Sequence, residues 1–157
     1  MTFEEARAAF PVLERVAYLN AGTFGPLARP VVEAVEREGR RDLEQGRAGS
    51  DWFDYALAMR DDLRARVAAF VGAEPGQVAL TASTTDGCNI VLAGLDLGPD
   101  DVVVTTDSEH FGLLGPLHAS RARVVVTRPD PDALLAAGGP RPRLLAVSQV
   151  LWTTGVR

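Results

Sequence analysis

Residues 77–95 read QVALTASTTDGCNIVLAGL. The stretch opens on a short apolar run ending at Leu80. It then crowds four hydroxyls, Thr81, Ser83, Thr84 and Thr85, into five positions, and passes through Asp86 and Gly87 into a second apolar run. QVALT has the composition of a buried strand, and residues 85–95 carry the pattern of a helix. A strand that hands over to a helix through small polar residues points to an α/β fold.

The same alternation continues downstream. DVVVTT (101–106) reads as a strand and 109–120 as a short helix. RVVVT (123–127) is a strand, Asp130-Pro131 opens a helix through Ala137, and RLLAVSQV (143–150) is a further strand. Val- and Leu-rich strands alternating with helices predict a mostly parallel sheet covered by helices on both faces. Upstream the pattern is helical. Thr2 and Glu5 form a capping-box pair for a short helix that stops before Pro11, VAYLN (16–20) is short and extended, and AGTFGPL (21–27) is loop. Pro30 starts a helix through about Leu43, and Ser50 is the expected N-cap of a helix over 51–71 that Gly72 ends. The expected division is therefore 1–75, an arm with helices, and 76–157, the sheet-bearing part.

At 157 residues, with 46% apolar and 24% charged residues, the chain is long enough to bury a core. Its net charge of −5 argues against a nucleic-acid surface. The acidic start MTFEEARAAF is unlike a secretory signal, no stretch is long and apolar enough to span a membrane, and a single cysteine forms no intrachain disulfide. These features lead to the expectation of a cytoplasmic protein. All 16 basic residues are arginine, so no chemistry requiring a lysine amine is available from this chain.

In open parallel sheets, ligands sit beyond the carboxyl ends of the strands. The 81–85 cluster lies at such an end and opens a helix, whose unpaired N–H groups favour an anion such as phosphate. The plain alternative is that one of Ser83, Thr84 or Thr85 caps the helix. Glu109 and His110, in TTDSEHFGLLGPL (105–117), fall at the same edge, as do Gln149, Trp152, Thr153 and Thr154 in SQVLWTTGVR (148–157). His110 there could stack on a ring, act as a base or simply cap a helix. With only His118 besides, no metal-ligand spacing is present. Cys88 reads as a structural thiol.

Four stretches in order, YLNAGTFGPL, TASTTDGCN, SEHFGLLGPL and SQVLWTTGV, resemble the class-V aminotransferase family of pyridoxal-phosphate (PLP) enzymes, which includes cysteine desulfurases and isopenicillin N epimerase-like proteins. The resemblance implies the fold-type-I architecture, with residues 76–157 as an incomplete large PLP-binding domain. It implies that Thr85, Thr84 and Ser83 surround the cofactor phosphate and that His110 stacks on the pyridine ring. It also implies an amino-acid substrate and, for the complete enzyme, a homodimer.

The chain departs from the desulfurase pattern where Gln149 stands for the usual histidine and Trp152 for the usual asparagine, which makes the epimerase-like branch the nearer one. The family's Schiff-base lysine has no counterpart here, so no catalytic residue is assigned. The expected reading is the N-terminal part of a larger enzyme, from a truncated or interrupted frame, inactive alone. The alternative is a non-catalytic α/β module that binds a phosphorylated ligand or a protein partner.

Overall fold

The computed structural model describes residues 2–157 and divides the chain into two compact units, one ending at Ala79 and the other starting at Leu80. In the first unit, α1 (Phe3–Ala8) opens on a reciprocal cap. Thr2 Oγ1 accepts from Glu5 N–H at 3.2 Å, and Glu5 Oε2 accepts from Thr2 N–H at 2.7 Å. A single 3₁₀ turn over Pro11–Glu14 follows. Then come two long helices, α2 (Arg29–Gln45) and α3 (Gly49–Val71).

The two helices are stitched by polar side chains rather than by a deep core. Arg41 lies 3.5 Å above the Tyr55 ring, Tyr55 donates to Glu38 at 2.5 Å, and Trp52 Nε1 donates to Asp42 at 3.2 Å. The bond to Glu38 holds the Tyr55 proton and raises its pKa above the ordinary 10.0. Ser50 is not the cap of α3. Ala48 takes that position, and Ser50 lies inside the first turn, where its hydroxyl donates to Asp51 Oδ1 at 3.2 Å instead of capping. At the other end Gly72 adopts φ 72°, ψ 33°, the left-handed geometry that terminates a helix without steric cost.

The second unit carries α4 (Thr84–Gly94), β1 (Val102–Thr106), α5 (Phe111–Ala119), β2 (Arg123–Thr127), α6 (Pro131–Ala137) and β3 (Leu144–Leu145). The three strands are parallel in the order β2-β1-β3. Successive side chains of β1 face opposite ways. Val103 packs with Leu117 of α5, whereas Val104 approaches Gly138 at the end of α6. The expected architecture of a parallel sheet with helices on both faces is present in this unit. Its apolar centre is small, formed by Leu97, Val103 and Leu117 with Leu92, Leu95, Leu113 and Leu144 around them.

Two strand expectations differ from the structure. Residues 77–81 do not form a strand. Gln77 closes a 3₁₀ turn and Val78 is extended, but the three-stranded sheet does not include this segment. The run 143–150 contributes only two ladder residues. Arg143 N–H donates to Val102 O and Ala146 N–H to Val104 O, so three steps on one strand meet two on the other. Side chains then replace the ladder. Thr105 Oγ1 donates to Ala146 O at 2.7 Å, and Ser148 N–H turns to Glu109 Oε1 at 2.9 Å.

Leu117 is fully buried and central to a small core. Leu117→Ala is expected to lower unfolding stability by about 2–5 kcal/mol, read by urea denaturation.

Candidate functional site

The site is assembled at the carboxyl end of β1, where three segments of the second unit meet. The first is the start of α4. Ser83 is its N-cap, with its Oγ accepting from Asp86 N–H at 3.1 Å, and Asp86 Oδ2 in return accepts from Ala82 N–H at 3.2 Å. The capping role considered for this cluster therefore falls on Ser83. Its hydroxyl oxygen is committed to the helix, while its proton remains available to a ligand. Gly87 N–H is taken by Ser83 O. Among the described residues, the Thr84 and Thr85 N–H groups have no partner within the chain, and all three residues are exposed. Free amides at the positive end of a helix favour an anion nearby.

The second segment is the turn after β1. His110 caps α5 through its ring, with Nδ1 accepting from Gly112 N–H at 3.0 Å. That bond makes Nδ1 the acceptor nitrogen and leaves Nε2 to carry the proton of the neutral ring. Gly112 is where the first and second segments touch. A Cβ there would lie 2.7 Å from Thr85 Oγ1 and 3.0 Å from His110 Nδ1. The absent side chain lets α5 start directly against α4, so Thr85 and His110 flank the same point. Residue type alone did not flag Gly112, because its requirement comes from a neighbour 27 positions away in the chain.

The third segment follows β3. Trp152 stands edge-on to His110 with ring centroids 5.0 Å apart at 84°, and Phe111 covers the imidazole at 3.9 Å. A pocket of about 160 Å³ is lined by Thr106, Glu109, Ser148, Gln149, Leu151 and Arg157, among others. A larger groove of about 280 Å³ runs between α4 and α5 from Asn89 to Arg121. It is lined by neither the free amides nor His110, so it is not the site. Cys88 is half-buried on α4, and His118 is exposed in the last turn of α5. Among the described residues no group of three His, Cys, Asp or Glu is placed to hold a metal, and no helix is long and apolar enough to cross a membrane.

No protein-family model matches the chain. It is similar to a probable cysteine desulfurase of Methanothermobacter thermautotrophicus, 30% identical over 129 residues, covering 82% of this chain and 32% of that protein. It is also similar to the isopenicillin N epimerase of Streptomyces clavuligerus, 29% identical over an alignment of 171 residues, covering 98% of this chain and 42% of that protein. Among solved structures, it superposes on a lysine-to-alanine mutant of C-DES with glycine covalently linked to the PLP cofactor. That match has a TM-score of 0.84 at 30% identity, over 96% of this chain and 42% of that one. C-DES in complex with its product cysteine persulfide, where it is described as a cystine C–S lyase, matches with a TM-score of 0.82. The chain thus spans less than half the length of the curated relatives it matches. Over that length it is a stretch of class-V aminotransferase-like sequence, with the α/β fold seen in C-DES.

Gly112→Ala would place a methyl group 2.7 Å from Thr85 Oγ1. The expected result is a loss of about 1–3 kcal/mol in stability by thermal unfolding, together with a shift of the His110 ring resonances in NMR.

Proposed function

We propose that this chain supplies the phosphate cup and one ring wall of a PLP site in a class-V enzyme that acts at an amino acid, as its N-terminal part. The observation that carries this reading is the juxtaposition across Gly112 of the Thr85 hydroxyl, on the first turn of α4 with its two free amides, and the His110 ring. The donor set fits the cofactor. A phosphate takes N–H and O–H donors without a counter-cation, and Thr84, Thr85 and Ser83 offer both kinds. The likeness to C-DES, whose structure carries PLP, supports the same assignment.

When bound, PLP supplies an electron sink for carbanion chemistry at the α-carbon. The residues of this chain do the holding. The Thr84 and Thr85 amides with the Thr85 hydroxyl anchor the phosphate, and His110 presents its imidazole to the ring. Trp152 makes the adjoining wall apolar where the desulfurase pattern places an asparagine. That substitution favours the epimerase-like branch over persulfide chemistry. A cytoplasmic setting and a homodimer for the complete enzyme belong to the same proposal.

The chain contains no lysine, so a covalent hold on the cofactor has to come from residues outside it. Hydrogen bonds to a charged group contribute about 1.5–3 kcal/mol each, and a stacked ring about 0.5–1.5. Association itself costs about 4–15 kcal/mol. Weak, reversible binding with no turnover is the consequence.

Titration of the purified chain with PLP, followed by absorbance and tryptophan quenching, is expected to give a Kd of roughly 0.1–1 mM. Thr85→Ala should weaken it about tenfold. Low-micromolar binding with turnover of an amino acid would overturn the inactivity of the chain alone. Inorganic phosphate binding as tightly as PLP, with His110→Ala having no effect, would favour the non-catalytic phosphate-binding module instead.

A further inference from the structure

We propose that Glu109 is the positioning residue of this site: its buried carboxylate fixes the Ser148–Trp152 segment against the His110 turn and so sets the aromatic wall. The proposal deepens the PLP reading and rests on it. Glu109 is the charged residue the fold buries most completely, at 4% exposure. A carboxylate removed from water is costly unless its lone pairs are satisfied. Among the described residues it makes no ion pair, and neutral donors satisfy it instead. Thr106 Oγ1 donates to Oε1 at 3.0 Å, Ser148 N–H to Oε1 at 2.9 Å, and Ser148 Oγ to Oε2 at 2.5 Å.

These bonds join parts of the chain 39 positions apart. On one side, Glu109 directly precedes His110, so anchoring it fixes the peptide that carries the imidazole. On the other, Ser148 stands four residues before Trp152. Trp152 itself lies in a compact turn over 151–156, closed by Leu151 N–H on Val156 O at 2.9 Å and Gly155 N–H on Leu151 O at 2.8 Å. The two anchored segments meet again at the His110–Trp152 contact. The Ser148 N–H is met by the carboxylate rather than by β1, whose ladder with this segment has already ended at Leu145. Three donors from two directions converge on it, so a planar group with two polar atoms is needed. Glutamine keeps Oε1 for two of them and can turn its NH₂ toward the Ser148 hydroxyl, whereas alanine leaves all three unmet.

The experiment compares Glu109→Gln, Glu109→Ala and Ser148→Ala in the full chain, in a Trp52→Phe background so that emission reports on Trp152 alone. His110 ring resonances and Val103 and Val104 amide resonances are recorded for each variant, followed by a PLP titration. Glu109→Ala is expected to shift the His110 ring resonances while leaving the β1 amides in place, and to weaken PLP binding about tenfold. Glu109→Gln should stay within about threefold of the unsubstituted chain. Ser148→Ala, which keeps the backbone bond, should move both readouts in the same direction by less, and it serves as the test if Glu109→Ala fails to fold. Unchanged His110 resonances in both Glu109→Ala and Ser148→Ala would overturn the proposal, as would an unchanged PLP affinity in a chain that binds PLP. If the unsubstituted chain binds no PLP but the resonances still move, Glu109 positions His110 and the PLP reading alone fails.

Discussion

The parallel ladder of β1 with β2 and β3 is the constraint on which the second unit depends. Val103, Val104, Thr105 and Thr106 are all buried. Each face of the strand is covered by a helix, and each edge is paired. An isolated parallel pair would leave backbone groups unsatisfied, so β1 is stable only as the central strand. Whatever follows Thr106 is consequently held firmly, and the chain places Glu109, His110 and Gly112 within six residues of that point.

Burial changes character along this strand. Val103 and Val104 meet aliphatic neighbours, but Thr105 and Thr106 are equally buried and carry hydroxyls. Both hydroxyls are spent on specific partners, Ala146 O and Glu109. The transition from an apolar to a hydrogen-bonded interior occurs at the carboxyl end of the strand, where a ligand approaches an α/β sheet. A polar end of this kind orients its neighbours more sharply than apolar packing does, because hydrogen bonds are directional.

The residues proposed to form the phosphate cup at α4 and the ring wall at α5 are ordinary helix caps. Ser83 satisfies one N–H of α4, and His110 one of α5. A serine cap contributes about 0.5–2 kcal/mol. In α4 the cap is incomplete, since one serine oxygen leaves the Thr84 and Thr85 amides free. The surplus of hydroxyls in TASTT is thereby divided: Ser83 caps the helix and Thr81 donates to Ser83 O at 3.1 Å, while the proposed phosphate site draws on Thr84 and Thr85 with the remaining Ser83 proton.

Much of this was legible from the chain alone. Valine-rich runs gave β1 and β2, and Asp130-Pro131 marked α6 because an aspartate oxygen followed by proline suits a helix start. Ser83, Thr84, Thr85 and His110 stood out because hydroxyls and imidazole at a strand–helix junction either cap the helix or face a ligand, and Ser83 and His110 do cap their helices. Segment 77–81 and most of 143–150 were misread, since strand composition says nothing about whether an edge is free to pair. By itself the sequence determined which residues could bear chemistry and that no lysine was among them. Only the tertiary structure decided how they meet: that Gly112 brings Thr85 to His110, and that Glu109 draws Ser148, and with it Trp152, to the same point. Those contacts span 27 to 39 positions, and a hydrogen bond or a missing methyl group at such separation has no local signature in the chain that forms it.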